Sequence, residues 1–355
     1  MIFITYELAS MNELKDAFQK SYIEKVEKMC EVPMKLCFPN GTVVQFGDAW
    51  EGKPGQHNGL FTRWANLFGR EDFLYLGTNG KQGRSPDSTA YALTTSGLYS
   101  MRSGWTANAI CMVLKCGPDG GWHSQPDNGT FSLYAGGRTL MPDAGCYIYS
   151  GDPEGRAWFR QTRVHQTLTL GGKDSNYNPH LLLWQPGDDL DVLVVENDSY
   201  DNLTHRRTLF FVDKRYFLIV DDAIGNAEGE VAIHFQLAPG NATVNHAEHS
   251  FSSSFTEGWN VLVQSQPQPG MQLEEEEGWV SFKYNAKEPR PAFRYVINKT
   301  SNQPNSRFIT FVVPYENAPP TIKLKSVSDF QLSLNEMELE LEEKGVAKKI
   351  GFKIN

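Results

Sequence analysis

The chain has 355 residues, of which 40% are hydrophobic and 12% aromatic, a composition that is typical of a folded protein with a large core and excludes a disordered chain. Its formal charge of −9 provides no overall attraction for nucleic acid or for an anionic membrane, so neither is predicted as a partner. The five cysteines are odd in number and lack CxxC spacing, which argues against a zinc knuckle and a complete disulfide framework.

The first eighty residues have the periodicity of helices. The start of the chain lacks the basic and apolar regions of a signal peptide, and no stretch has the apolar length of a membrane span. Apolar residues recur three or four apart over residues 11–31, which predicts one helix there. A second helix is predicted over residues 59–70, with Gly69 as its stop. We expect residues 1–80 to form a helical segment too short to enclose a core by itself.

From about residue 76 the hydrophobic period changes to two. Short segments rich in β-branched and aromatic residues, such as AICMVLKC and GTFSLYAGG, alternate with Gly, Pro, Asn and Asp. The clearest hairpin is FFVDKRYFLIV, with its turn at residues 213–215. The acidic run 274–277 is interpreted as a solvated loop. The pattern predicts a mainly β protein whose residues 81–355 form a large β-sandwich domain of stacked antiparallel sheets.

One histidine lies in an unusual polar setting. The stretch GGWHSQPDNGT places His123 in a glycine-rich loop between two predicted strands, and one interpretation is an ordinary surface-loop histidine. Alternatively, Gln125 points with His123 from an extended segment, and Asp143 and His165 follow in the next segments. An imidazole, a carboxylate and an amide oxygen brought together by a sheet could bind one divalent cation. Spacing alone leaves both interpretations open.

Seven segments resemble the heparinase II/III-like family, in particular its heparinase III members, which are heparan-sulfate lyases. They are WHSQPDNGTFSLYAGGRTLMPDAGCYIYSGD, WFRQTRVHQTLTLGG, NGKQG, LYSMRSGW, FGDAW, DNLTHRRTLFFVDKRYFLIVDDAIG and EEEEGWVSFKYN. The resemblance covers most of the chain, and such a long ordered set is far more specific than any group of three residues.

The resemblance implies a two-part enzyme with an N-terminal incomplete α/α toroid, a C-terminal stack of antiparallel sheets, and the polysaccharide in the cleft between them. The helical segment 1–80 would be a short remnant of that toroid, so the chain is expected to be truncated within the last toroid helices. Enzymes of this family act in the periplasm or outside the cell, so the parent protein is expected to be periplasmic or secreted, without a signal peptide in this chain. The oligomeric state is not implied.

The resemblance also implies a mechanism. Eliminative cleavage beside a hexuronic acid requires neutralisation of the carboxylate, a base for the C5 proton and an acid for the departing O4. In the family these tasks fall to an asparagine and a tyrosine from the toroid and a histidine from the β domain. His123 matches that histidine, with proton transfer at C5 as its implied role. The matching asparagine and tyrosine are expected upstream of Met1, and Tyr6 is interpreted as a helix-face residue.

A structural metal ion is a further implication of the resemblance. Gln125, Asp143 and His165 match the ligands of the family, with Gln125 where the heparinase II branch has a second histidine. An oxygen-rich set of this kind suits calcium as well as zinc. The ion would hold the loop of His123 against the neighbouring strands. The alternative is a hydrogen-bonded trio without an ion.

Arginines, lysines and aromatic residues are the candidates for substrate binding. Trp122 could stack on a sugar ring or pack at a sheet edge, whereas Trp50, Trp64 and Trp105 are expected in the core. Asp127, like the asparagine that follows it, is interpreted as a turn former. Five basic residues form two patches that could bind sulfate or uronate groups, although each could be an ordinary surface residue: Lys81, Arg84, Arg156, Arg160 and Arg163.

Two functional hypotheses follow. The first is a heparinase III-like polysaccharide lyase that cleaves acidic glycosaminoglycans such as heparan sulfate, with this chain carrying the β-domain half of the active site. The second is a carbohydrate-binding or structural β-module that retains the groove and the metal but does not turn over. Because two catalytic groups are expected outside it, residues 1–355 alone are expected to show little or no activity.

Overall fold

Helices occupy the first part of the chain. The computed structural model describes residues 2–302, 305–328 and 334–354. Its α-helices are α1 (Ile2–Met11), α2 (Lys20–Leu36), α3 (Asn58–Phe68), α4 (Glu71–Gly77) and α5 (Pro153–Trp158), and short 3₁₀ turns cover Lys15–Ala17, Thr162–Val164 and His246–Glu248. Trp64 and Trp105 are buried in a small core formed by α2, α3 and α4, as predicted. Tyr6 lies on the inner face of α1 and stacks on Phe68. Among the described residues, no helix has both the length and the apolar character needed to cross a membrane.

The two predicted helices have different outcomes. The helix over residues 59–70 is confirmed as α3, and Gly69 ends it with a φ of 68°, the left-handed conformation that glycine adopts without strain. Residues 11–31 are not one helix. The chain leaves α1 at Met11, takes a positive φ of 58° at Glu13, forms the 3₁₀ turn Lys15–Ala17, and re-enters an α-helix only at Lys20. Apolar spacing misses this break because it continues in register across the turn.

A five-stranded antiparallel sheet follows the helices and carries the loop of His123. Its strands, in spatial order, are β1 (Ala90–Leu93), β2 (Leu98–Arg102), β3 (Cys111–Lys115), β4 (Phe131–Ala135) and β5 (Arg138–Met141). On β3, Met112 and Leu114 face the main core of the β domain, while Cys111 and Val113 face a smaller cluster with Phe38. The sheet therefore connects the helical segment to the β domain.

The other strands form an eight-stranded, a four-stranded, a three-stranded and a two-stranded sheet. They are β6 (Leu168–Leu170), β7 (Pro179–Gln185), β8 (Leu190–Tyr200), β9 (Leu203–Val212), β10 (Tyr216–Ile224), β11 (Gly229–Gln236), β12 (Ala242–Asn245), β13 (Ser250–Ser253), β14 (Asn260–Ser265), β15 (Gln272–Glu276), β16 (Trp279–Lys283), β17 (Ala286–Pro289), β18 (Ala292–Lys299), β19 (Asn305–Tyr315), β20 (Ile322–Val327), β21 (Glu336–Glu343) and β22 (Val346–Lys353). Their spatial orders are β12-β13-β14-β19-β10-β9-β8-β7, β15-β18-β11-β6, β20-β21-β22 and β16-β17. All of their pairings are antiparallel.

The eight-stranded sheet is the middle layer of the β domain. Leu209 and Phe211 face the main core shared with the five- and four-stranded sheets, whereas Phe210 and Val212 face a second core shared with the C-terminal three-stranded sheet. Because both faces are buried, β9 and β10 have continuous apolar runs next to their shared turn, over residues 209–212 and 216–220, instead of an alternating pattern. The predicted fold class, stacked antiparallel sheets preceded by a few helices, is confirmed.

The predicted hairpin between β9 and β10 is also confirmed. Asp213 and Lys214 have φ angles of 51° and 54°, and the Arg215 N–H donates to the carbonyl of Val212 at 2.9 Å. The connection has three residues, because Val212 pairs with Tyr216, and its two positive φ angles match the right-handed twist of the flanking strands.

The acidic run 274–277 is not a loop, so that prediction is wrong. Glu274 and Glu276 lie on β15, which pairs with β18. Arg294 of β18 donates to Glu274 at 2.6 Å, and Nδ1 of His234 lies 2.8 Å from a carboxylate oxygen of Glu276. Arg294 on the adjacent strand offsets the charge of Glu274, and a single sequence segment does not reveal such a partner.

Candidate active site

The loop between β3 and β4 presents His123 to solvent. The His123 side chain is 74% exposed, whereas the nearby Gln125 and Asp127 are fully buried. Nδ1 of His123 lies 3.2 Å from Oδ2 of Asp48, a residue in the segment between α2 and α3. The imidazole is therefore held at one edge and open at the other.

The carboxylate of Asp48 is buried among cationic partners. Arg156 Nη2 donates to its Oδ2 at 2.6 Å, and Arg160 Nη1 to its Oδ1 at 3.4 Å. Burial disfavours the charge, but Arg156, His123 and Arg160 outweigh burial and hold the pKa of the Asp48 carboxyl below its ordinary value. An ionised carboxylate only accepts hydrogen bonds, so the Nδ1–H of His123 donates to Asp48. In the neutral ring, Nε2 then carries the lone pair on the open side.

The backbone also joins the Asp48 segment to the His123 loop. The Asp48 N–H donates to the carbonyl of His123 at 3.0 Å. Gly47 has a φ of 64°, and a Cβ on it would lie 2.6 Å from the same carbonyl oxygen. Only glycine permits this close approach without a shift of the loop. Arg160 adds a third connection by donating to the carbonyl of Ser124 at 2.7 Å.

A second cluster, of possible metal ligands, is fully buried. One ligand atom from each of Asp127, Asp143 and His165 lies within 4.8 Å of the others. Nδ1 of His165 is 2.9 Å from Oδ2 of Asp143, and Lys115 Nζ is 2.5 Å from Oδ1 of Asp127. Burial opposes both charges, but their mutual attraction lowers the pKa of Asp143 and raises the pKa of His165.

Three buried polar atoms without a hydrogen-bond partner are suitable ligands for a divalent cation. Gln125 Oε1, Asp127 Oδ2 and His165 Nε2 are buried and have no hydrogen-bond partner among the described residues. Buried polar atoms are normally paired, and amide oxygens, carboxylate oxygens and imidazole nitrogens are common ligands of divalent cations. The amide Nε2 of Gln125 donates to Asp48 Oδ1 at 3.3 Å, which connects this residue to the tether of His123.

Arg290 braces the backbone on which two of these side chains are mounted. Its guanidinium donates to the carbonyl of Pro142 at 2.6 Å and to that of Val164 at 3.2 Å, one residue before Asp143 and one before His165. Burial lowers the pKa of Arg290 to about 10, which leaves it charged at neutral pH.

Aromatic rings lie around the exposed edge of His123. The ring of Tyr149 contacts the imidazole edge-on, with centroids 6.1 Å apart, and Trp50 contacts Tyr149 at 5.8 Å. Trp122 is 94% exposed, so its burial at a sheet edge is excluded. Trp50 was expected in the core but is only partly buried, because its ring packs on this exposed tyrosine.

The other basic candidates lie apart from Asp48. Arg163 donates to Oε1 of Gln161 at 2.7 Å, from the 3₁₀ turn before β6. Lys81 and Arg84 are exposed on the loop after α4, where Arg84 lies 3.7 Å from the carboxylate of Asp87. Within the described ranges, no hydrogen bond or ion pair joins any of these three basic side chains to Asp48 or His123. The structure thus brings together Arg156 and Arg160 only.

Two family models match the chain in succession. Heparinase II/III N-terminus matches residues 1–75, and Heparinase II/III-like, C-terminal, matches residues 86–324, which is more than half of the chain. The chain belongs to the heparinase II/III-like family. The resemblance noted in the sequence is confirmed.

The similar proteins described next are all named as lyases of heparin sulfate or heparan sulfate. A heparin-sulfate lyase of Pedobacter heparinus is 38% identical over 335 residues, which cover 92% of this chain and 51% of that protein. A heparin-sulfate lyase of Bacteroides stercoris is 34% identical over 353 residues, or 98% of this chain and 53% of that protein. The crystal structure of a heparan sulfate lyase from Pedobacter heparinus superposes with a TM-score of 0.93 at 35% identity, over all of this chain and 56% of that one. This heparinase II/III-like chain spans about half the length of these relatives.

Sequence reasoning missed two residues of this heparinase II/III-like site. Asp48 lies within FGDAW, one of the resembling segments, but no local spacing relates residue 48 to residue 123. Asp127 was interpreted as a turn former. Its position two residues after Gln125 was the available signal, because both side chains are fully buried. The expectation that Gln125 points with His123 is wrong, since the His123 side chain is exposed.

Proposed function

We propose that this chain contributes the histidine half of the active site of a polysaccharide lyase that acts on hexuronate-containing glycosaminoglycans such as heparan sulfate. One observation carries the proposal: an ionised, buried Asp48 fixes Nδ1 of His123 and leaves Nε2 at an exposed, aromatic-lined surface. The names of the similar proteins support the choice of substrate class.

The proposed role of His123 is proton transfer at C5 of the uronic acid. Its neutral Nε2 accepts the C5 proton as the C4–C5 double bond forms and the bond from C4 to O4 breaks, and O4 leaves with a proton. Asp48 is a positioning residue, because it fixes the tautomer and stabilises the imidazolium that forms. Arg156 and Arg160 maintain Asp48 as an anion, and Arg160, whose side chain is 33% exposed, could also pair with an acidic group of the sugar.

The groups that neutralise the uronate carboxylate and protonate O4 are proposed to come from the helical toroid of the whole protein. The division at about residue 80 into a helical segment and a β domain belongs to the same proposal. A periplasmic or secreted parent protein would place this activity where polysaccharides are met.

The second proposed element is a structural divalent cation, calcium or zinc. Its ligands would be Gln125, Asp143 and His165, with Asp127 added from the structure. A bound cation would supply fixed positive charge between segments that are distant in sequence. Gln125 would transmit that rigidity to the His123 loop, because it also contacts Asp48.

A carbohydrate-binding module is the second candidate function. The observation that favours it is that the Asp48 cluster supplies the histidine and two arginines, whereas elimination requires two further groups. Such a module would bind acidic oligosaccharide through the same exposed surface without producing unsaturated uronate.

One experiment separates these candidates. Heparan sulfate is incubated with the whole protein that contains this chain and with its His123→Ala variant, so that the groups proposed to come from the toroid are present. The ultraviolet absorbance of unsaturated uronate is followed, and binding of size-defined oligosaccharides is measured by calorimetry. A rate that falls at least about a hundredfold in the variant supports the lyase, whereas equal rates contradict the role of His123. Binding without product supports the binding module. Absence of both binding and product refutes a glycosaminoglycan function.

A further inference from the structure

A short hairpin brings another aromatic ring to the surface beside His123. Strands β16 and β17 are joined by a turn that carries Tyr284, a residue that is 51% exposed. Its ring centroid lies 6.2 Å from that of Tyr149 and 5.7 Å from that of Trp50. The three rings contact one another, and Tyr149 also contacts His123. Tyr284 is therefore two ring contacts away from the imidazole.

The backbone fixes this hairpin to the segment that carries Tyr149. The Asn285 N–H donates to the carbonyl of Tyr147 at 2.8 Å, and the Ser281 N–H donates to the carbonyl of Ala144 at 2.9 Å. A Cβ on Gly145 would lie 2.4 Å from the carbonyl oxygen of Ser281, so the two segments are in close backbone contact. The position of Tyr284 is thus set by main-chain contacts and not by a free loop.

We infer that Tyr284, Tyr149 and Trp50 form a sugar-binding subsite that flanks His123 and holds one pyranose ring of the acidic glycan. The inference rests on the proposed function and specifies how the chain is held beside the reacting sugar. Aromatic faces bind the C–H faces of sugars through apolar contact, and rigid aromatics lose little conformational entropy when they do so.

Charge and sequence separation favour a binding subsite over ordinary exposed side chains. Single exposed apolar residues are normal on protein surfaces, but these three rings come from segments around residues 50, 149 and 284 and converge at one place. The guanidinium of Arg156 lies 5.1 Å from the ring centroid of Tyr149, and Lys283 is exposed next to Tyr284. A surface that combines aromatic rings with cations is complementary to a sulfated or carboxylated sugar.

The test measures binding of size-defined heparan sulfate oligosaccharides to the full chain by titration calorimetry at one fixed salt concentration. Tyr284→Ala is expected to bind about tenfold more weakly, which corresponds to about 1.4 kcal/mol. Tyr284→Phe keeps the ring face and is expected to bind within about twofold of the original chain. Tyr22→Ala is the matched control, because Tyr22 also stacks on a neighbouring ring, that of Phe18, but lies in the helical segment.

Each outcome bears on the subsite. Unchanged affinity in Tyr284→Ala overturns it, and so does an equal loss in Tyr284→Phe, since that result would assign binding to the hydroxyl group. If Tyr284→Ala does not fold, Tyr284→Leu retains apolar packing on Trp50 without a ring face and should show the same loss. If the original chain binds no heparan sulfate oligosaccharide at all, the proposed function fails, which is distinguishable from failure of the subsite alone.

Discussion

Replacement of Asp48 by asparagine removes the charge on which the arrangement around His123 depends. The Asp48 side chain is 1% exposed and accepts from Arg156 at 2.6 Å, from His123 at 3.2 Å and from Arg160 at 3.4 Å. Asparagine has nearly the same shape but presents one neutral oxygen and one donor group. Two arginines would then face an uncharged side chain, and the tautomer of His123 would no longer be fixed.

The magnitude follows from how deeply each partner is buried. Loss of one partner of a fully buried ion pair costs about 3–5 kcal/mol, and hydrogen bonds to charged groups contribute about 1.5–3 kcal/mol. The Arg156 side chain is 17% exposed and that of Arg160 is 33% exposed, so water can partly solvate both when the carboxylate is lost. We therefore expect Asp48→Asn to destabilise the chain by about 2 kcal/mol, with about 1–2 kcal/mol of that specific to Arg156.

The assay is a double-mutant cycle by urea unfolding, with Asp48→Asn, Arg156→Met and the double variant. The control cycle uses Arg84 and Asp87, which lie 3.7 Å apart and are 77% and 83% exposed, so their coupling should stay below about 0.5 kcal/mol. If the Asp48 and Arg156 effects simply add, as is expected at Arg84 and Asp87, the carboxylate does not bind Arg156 as described.

Three further results are expected. Gly47→Ala should lower the thermal unfolding midpoint more than Gly172→Ala does. Both glycines have positive φ, but only a Cβ at position 47 would lie 2.6 Å from the carbonyl oxygen of His123. Equal shifts of the midpoint would contradict that close contact. Chelation by EDTA should lower the unfolding midpoint, and calcium or zinc should restore it, whereas an unchanged midpoint would count against a structural cation. Asp221 of β10 and Arg207 of β9 are buried, and Nε of Arg207 donates to Oδ1 of Asp221 at 2.7 Å. Burial disfavours the charge of Asp221, but Arg207 holds the pKa of its carboxyl below the ordinary value, so its stabilisation is complete above about pH 4 and is lost as the pH falls. Asp221→Asn should accordingly cost about 3–5 kcal/mol at neutral pH and progressively less in acid, and a cost independent of pH would refute the ion pair.

The fold was predictable where local sequence determines the structure. The β9–β10 hairpin and the end of α3 depend on apolar runs that stop at residues able to take positive φ. Both features belong to a few adjacent residues. The break between α1 and α2 and the strand in the acidic run were not predictable in this way. The first depends on a turn that preserves helical spacing. The second depends on contacts with Arg294 and His234 from other strands of the same sheet.

The site was predictable only in part, for a related reason. Residues within the loop and strands around His123 could be grouped by spacing and by resemblance, and the structure pairs Asp143 with His165. Asp48 was missed because it lies 75 residues from His123 along the chain. The two segments can approach each other closely because residue 47 is a glycine. Arg163 was grouped with Arg156 and Arg160 by proximity in sequence, yet the 3₁₀ turn directs its side chain to Gln161.

The most direct test of His123 as the proton-transfer residue is a crystal structure of the chain with a bound heparan sulfate oligosaccharide. We expect a uronate ring with its C5 carbon facing Nε2 of His123 and with a neighbouring sugar on Tyr284. An oligosaccharide bound instead in the groove lined by Trp259, Tyr315 and Lys323, beyond the opposite end of β3 from the His123 loop, with no sugar near the imidazole, would contradict the proposed active site.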